Sequence, residues 1–318
     1  MKKILSIFSV SFALIFSSSA FANTIGVVYD SGGKFDKSFN ELAFNTAERV
    51  VNELGWGMIE FESANDNQIE QGMRKIADRG ATMIVGMGFA QADAIGAVAA
   101  DYPDIKFVAV DVCWLDDPNN NIYQACYKEH EGSFLVGMMA AMASKSGTIG
   151  FVGGMDIPLI RKFQGGYEQG AQYVNPDINV LANMTGTTNE AWNNPTKGAE
   201  LTKAQIDGGA DVVYQAAGGT GIGVLQAAAD AGIMGIGVDS NQNWMHPGTM
   251  LTSMLKRLDL TIFEQAQNVA KGSFESGINI LGLSEGMLGY ATEDGMVTSE
   301  MAAAADAAAA DIASGALV

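Results

Sequence analysis

The chain has 318 residues, with 36 acidic against 18 basic side chains and a formal net charge of −18 at neutral pH. So acidic a surface repels nucleic acid and anionic lipid, which argues against polynucleotide binders and polybasic membrane-surface proteins. The length suits two medium domains with cores of their own and is short for three.

The first segment in chain order is a leader. Lys2 and Lys3 precede an apolar run from Ile4 to Phe16 and then Ser17-Ser18-Ser19-Ala20-Phe21-Ala22. A basic start, an apolar stretch too short to span a bilayer with those flanks, and a small-x-small site predict a secretory signal peptide cut before Asn23. The product would have 296 residues, 16 basic and 36 acidic side chains. No cysteine stands at the cleavage site, so an exported, non-lipidated protein free in its compartment is expected.

After the leader, short β-branched runs alternate with longer amphipathic segments. Strands are expected over 24–29, 58–62, 83–86, 107–111, 122–127, 148–152, 179–183, 212–214, 236–238 and 250–253. Helical periodicity covers 39–54, 68–79, 90–100, 132–143, 159–174, 195–207 and 221–231. This alternation predicts right-handed crossovers and parallel sheets, and runs such as Phe107-Val108-Ala109-Val110 suit a sheet covered on both faces. The pattern restarts after Lys145-Ser146-Gly147, placing the lobe boundary near 128–147. Periodicity leaves open where the helix over 256–271 and the strand over 278–283 belong. The alanine-rich 299–313 reads as a terminal helix capped by Ser299.

The only cysteines, Cys113 and Cys126, fall at or near two neighbouring strands joined by Asp116-Asp117-Pro118-Asn119-Asn120-Asn121. In an oxidising compartment they are either a disulfide closing a short loop or two buried thiols.

Open α/β sheets bind ligands beyond the carboxyl ends of their strands. There the chain places Asp30 to Asn40, Asp111, the glycine turn Gly218-Gly219-Thr220-Gly221, and Asp239-Ser240-Asn241. Polar groups mixed with aromatics on both halves predict a cleft for a small amphipathic ligand. Asp36 or Ser38 could equally cap the first helix. The glycine turn followed by Asp239 mimics a dinucleotide fingerprint, but its register is G-x-G-x-G rather than G-x-G-x-x-G. Catalytic constellations are poor: His130 and His246 stand alone, Ser253-Met254-Leu255-Lys256 has no S-D-N partner, and the aspartates follow separate strands without a D-x-D pair. No metal or cofactor is expected.

Six ordered motifs carry a family likeness: Asp36 to Asn40, Lys128 to Gly137, Trp192 to Gly198, Ala217 to Gly221, Gly237 to Asp239 and Thr252 to Lys256. Over about 24–290 the chain resembles the basic membrane protein family, the purine-nucleoside receptors of ABC importers. The resemblance implies a type I periplasmic binding protein: two α/β lobes, each a doubly wound parallel sheet, joined by a three-crossover hinge. It implies a first lobe of residues 23–128 plus about 254–290, a second of 129–253, and a tail helix in 291–318. It also implies a purine sandwiched between Phe39 and Trp192, and ribose hydroxyls on Asp239. Asp30, Asn40 and Asp111 would make polar contacts, Gly218 and Gly219 would approach the sugar, and Lys256 would hold a cleft carboxylate or reach the ligand. The expected partner is a permease of the inner membrane, and no bond is broken. Many members have phenylalanine and aspartate where this chain has Trp192 and Asn194, and many carry a lipid-accepting cysteine that it lacks. The alternatives are a sugar or free-base receptor on the same scaffold, or a periplasmic nucleoside hydrolase.

Overall fold

A computed structural model describes residues 23–63 and 65–317; the expected leader lies outside them. In chain order the elements are β1 (Thr24–Tyr29), α1 (Phe39–Leu54), β2 (Gly57–Glu62), α2 (Ile69–Asp78), β3 (Met83–Met87), α3 (Ala92–Asp101), β4 (Lys106–Val110), β5 (Ile122–Tyr127), α4 (Glu129–Ala143), β6 (Thr148–Met155), α5 (Pro158–Val174), β7 (Asn179–Gly186), α6 (Pro195–Asp207), β8 (Val212–Ala216), α7 (Gly221–Asp230), β9 (Met234–Asp239), β10 (Met250–Lys256), α8 (Leu258–Lys271), β11 (Gly277–Leu281), β12 (Leu288–Tyr290) and α9 (Ser299–Ser314).

The strands form two six-stranded sheets, ordered β11-β5-β4-β3-β1-β2 and β12-β10-β9-β8-β6-β7. Every pairing is parallel except β10 with β12. Alternate side chains of one strand serve two cores. Ile25, Val27 and Tyr29 of β1 pack toward α1 and α8, whereas Val28 packs toward α2 and α3. Each fully buried aliphatic side chain contributes about 1.5–3 kcal/mol, so a sheet covered on both faces needs the near-continuous apolar strands seen here. The second sheet is layered likewise, with α4, α5 and α9 on one face and α6 and α7 on the other.

The chain passes between the sheets three times, after β5, β10 and β11. This narrows the extent expected for the returning segment. β11 pairs with β5 in the first sheet, but β10 through Lys256 and the unanticipated β12 belong to the second. β12 is three residues long, too short for periodicity to register, and forms by covering the open edge of β10. The terminal helix is capped by Thr298, whose hydroxyl accepts from the Met301 amide at 3.2 Å, and not by Ser299. Its Met301, Ala305 and Ala308 are buried beside α4.

Cys113 and Cys126 are joined as a disulfide with Cα atoms 5.7 Å apart, clamping the segment after β4 onto β5. The connection has no helix; Asp117 organises it by accepting from the amides of Asn121 and Ile122 at 2.9 and 3.0 Å. Closing a loop of this length stabilises by about 3 kcal/mol on the chain-entropy model, so Cys126→Ala is expected to lower unfolding free energy by about that much. Denatured, unreduced protein should show no titratable thiol; two would contradict the bridge.

Candidate functional site

The carboxyl ends of both sheets face one interlobe cleft of about 540 Å³, counted out to its open mouth. The first lobe supplies Asp30, Phe39, Phe89 and Asp111, and the second supplies Trp192, Gly218, Asp239 and Lys256.

The wall on the β1 side is organised by a carboxylate. Asp36 accepts from the amides of Ser38, Asn40 and Glu41 at 2.9, 2.9 and 3.1 Å, satisfying donors that the first turn of α1 leaves free. This anchoring holds Phe39, the first residue of α1, at the cleft wall. The Asn40 amide is committed behind it: its oxygen accepts from the Asp30 amide and its nitrogen donates to Asp30 and Asp36. Asn40 is therefore a buried tie between β1 and α1 and does not line the cleft.

Asp111 and Asp239 stand at matching places, at the ends of β4 and β9, each the third strand of its sheet. Both have left-handed backbone, with φ of 63° and 64°. Such a conformation is costly for a side chain with a Cβ and tends to persist where it aims a functional group. Burial pushes the Asp239 carboxyl up to about 6, with Lys256 opposing and Asp111 reinforcing the shift.

Lys256, at the end of β10, is 1% exposed; its Nζ lies 2.6 Å from Asp111 Oδ1 and 3.2 Å from Glu129 Oε1. Burial alone would lower its pKa, but Asp111, Glu129 and Asp239 outweigh that and hold it firmly protonated. Glu129 opens α4, is fully buried, and also receives Lys162 Nζ at 3.3 Å. Burial raises its pKa while Lys256 pulls it down. Because Asp111 follows the first sheet and Lys256 ends a strand of the second, this pair bridges the lobes.

Trp192 ends the short turn Asn189–Trp192, and its ring lies over Gly154, where any Cβ would collide with the indole. Across the cleft it meets Phe89 edge-on, with centroids 6.4 Å apart. Asn194 caps α6, accepting from the Lys197 amide at 3.0 Å. Gly219 is set back from the cleft, facing the Gly32 carbonyl of the opposite lobe with room for no more than hydrogen.

Closure is also held by direct hydrogen bonds between the lobes. Ser38 Oγ donates to the Val238 carbonyl at 2.9 Å and lies 3.1 Å from Asp239 Oδ2. The Lys37 carbonyl accepts from Ser240 Oγ at 3.1 Å and Gln242 Nε2 at 3.0 Å. Each such bond contributes about 0.5–1.5 kcal/mol to the closed form only, so Ser240→Ala is expected to weaken ligand affinity about two- to tenfold with little change in stability. Small-angle scattering should show the free variant more open; an unchanged affinity would show that the bond does not bias closure.

Of the residues singled out in the sequence, Asp30, Phe39, Asp111, Trp192, Gly218, Asp239 and Lys256 meet in this cleft, while Asn40 and Gly219 stand behind it. Phe89, Phe163 and Glu129 were missed. Phe89 follows β3 and falls under the same strand-end rule; Glu129 lies in the quoted motif from Lys128 to Gly137. Phe163 lies inside α5, where helical periodicity makes it one more core residue.

Two doubly wound lobes, crossed three times by the chain and facing each other over a polar-aromatic cleft, define the type I periplasmic-binding-protein-like fold of solute receptors. A solved ABC transporter system solute-binding protein from Aeropyrum pernix K1 superposes with a TM-score of 0.84 at 26% identity, covering 93% of this chain and 92% of that one. Residues 23–314 match the family model described as ABC transporter substrate-binding protein PnrA-like, and the chain belongs to this basic membrane protein family. It is 31% identical to basic membrane protein A2 of Borrelia garinii subsp. bavariensis over 84% of this chain and 79% of that one. It is also 31% identical to the ABC transporter nucleoside-binding protein BmpA of Lactococcus lactis subsp. cremoris, over 79% and 76%. Membership makes the chain the substrate-binding component of an ABC transporter, with a small-molecule ligand and a permease as partners. Among the described residues no helix is long and apolar enough to cross a membrane.

Proposed function

We propose that the cleft binds a purine ribonucleoside and that the protein, exported and free in the periplasm, hands it to an inner-membrane permease. The observation that carries this reading is that aromatic rings from opposite lobes, Phe39 and Trp192, line the same cleft as a buried carboxylate, Asp239. A flat base suits the rings and a vicinal diol suits the carboxylate; a sugar or a free base would use only half of the site. The relative in Lactococcus whose name includes nucleoside binding supports the ligand class. Lys256 lies among the carboxylates where a hydrolase would need a metal, so they act here as acceptors. Closure follows from the split site, since each lobe supplies contacts that form together only in the closed state.

Calorimetry with adenosine, guanosine and inosine tests the proposal, and failure of all three to bind would refute it. Trp192→Ala is expected to weaken binding by about 1–3 kcal/mol, the usual scale of base stacking on an aromatic side chain. The bound base should also change tryptophan fluorescence in the parent and much less in the variant.

A further inference from the structure

A second cavity adjoins the cleft on the disulfide side, about 780 Å³ counted out to its open mouth. The two share Phe89, Asp111 and Leu159 in their linings, so they lie side by side at the junction of the lobes. We infer that this side chamber accepts an apolar substituent carried by the ribonucleoside, extending the ligand class beyond the plain nucleosides. The inference rests on the nucleoside reading of the main cleft.

The chamber's surface is largely apolar, formed by Trp114, Tyr127, Ile157 and the bridged Cys113. Its charged groups are already engaged: Asp111 and Glu129 hold Lys256, and Lys162 donates to Glu129 and to the Tyr127 carbonyl. Among the described residues no unengaged cation faces a phosphate there, and two carboxylates repel one. Trp114 is the telling residue. Its side chain is 60% exposed, yet its backbone is fixed on both sides. The disulfide holds Cys113, and the Gln124 amide clasps Leu115, accepting from its N–H and donating to its carbonyl, both at 2.9 Å. A large ring exposed on a rigid mount presents a ready contact surface, because little ordering remains to oppose binding.

The test is calorimetry on the full secreted chain with adenosine, N6-benzyladenosine, 5′-benzylthio-5′-deoxyadenosine and adenosine 5′-monophosphate. At least one benzyl compound should bind as tightly as adenosine or tighter, and which one does so identifies the end of the nucleoside that faces the chamber. The monophosphate should bind more weakly. Trp114→Ala should reduce affinity for the accepted benzyl compound about three- to tenfold and leave adenosine unchanged. Ile157→Trp, which fills the chamber from the second lobe, should exclude that compound while retained adenosine binding reports an intact fold. If adenosine binds but both benzyl compounds bind more than about tenfold worse, which is a loss above 1.4 kcal/mol, the chamber is closed to substituents and the inference fails while the nucleoside reading stands. Equal losses for every ligand in Trp114→Ala would also defeat it. Binding of no nucleoside would overturn both.

Discussion

Lys256→Met is expected to destabilise the protein by about 3–5 kcal/mol at neutral pH and to abolish ligand binding. Breaking a buried ion pair from one side leaves the remaining charges without compensation, and that cost exceeds the value of the pair itself. Here Asp111 and Glu129, both buried, would lose the ammonium at 2.6 and 3.2 Å. The loss should depend on pH in a definite sense. Burial already raises the Glu129 pKa in the parent, and Lys256 is the main influence holding it down. Without Lys256 the folded pKa rises further above the unfolded value. A carboxyl of that kind is tolerated while protonated in both states and costs stability as pH climbs through the folded pKa. The gap between parent and variant should therefore be wide at about pH 8 and shrink toward about pH 5, measured by urea midpoints. Adding Glu129→Gln should recover part of the loss by removing one stranded charge. A gap independent of pH would show that methionine acts through packing instead.

Asp239 is expected to discriminate ribosides from 2′-deoxyribosides and to impose an acid limb on binding. A carboxylate can accept from both hydroxyls of a vicinal diol, and each charge-assisted bond contributes about 1.5–3 kcal/mol. Ligands lacking the 2′-hydroxyl leave a desolvated oxygen unpartnered, so the penalty falls on them. Burial holds the free carboxyl up at about 6. The accepting form is the ionised one, so ligand binding must expel the proton below that value. Affinity for ribosides should be flat above about pH 7 and fall on acidification, approaching about tenfold per pH unit. Asp239→Ala should flatten both the pH profile and the preference for ribosides, while stacking on Phe39 and Trp192 persists. Equal binding of adenosine and 2′-deoxyadenosine by the parent would remove this role from Asp239.

The same carboxyl bears on stability. Its folded pKa is raised above the ordinary carboxylate range, so its contribution is fully present below that range and is lost as pH rises through about 6. The site is thus held ionised at neutral pH against a local cost, which the ligand hydroxyls would offset.

Much of this molecule can be read locally. β1 and β5 match the expected runs residue for residue, as do α1 and α6, because an apolar period of two or of 3.6 acts on the backbone that carries it. The strand-end rule also brought Asp30, Asp111 and Asp239 to notice without knowledge of any contact. What the local pattern could not decide is which buried groups become partners. Lys256 finds Asp111 across 145 positions and Glu129 across 127, and Trp192 meets Phe89 from the opposite lobe. Asn40, a polar contact by the family likeness, has its amide nitrogen bonded to Asp30 and Asp36. β12 exists only because β10 offers it an edge. In β1, β5, α1 and α6 the backbone conformation follows from neighbours in sequence, so composition and period determine it there. Desolvated charges, stacked rings and strand edges take their partners from whatever the packed lobes bring within a few ångströms, and only the tertiary structure decides that.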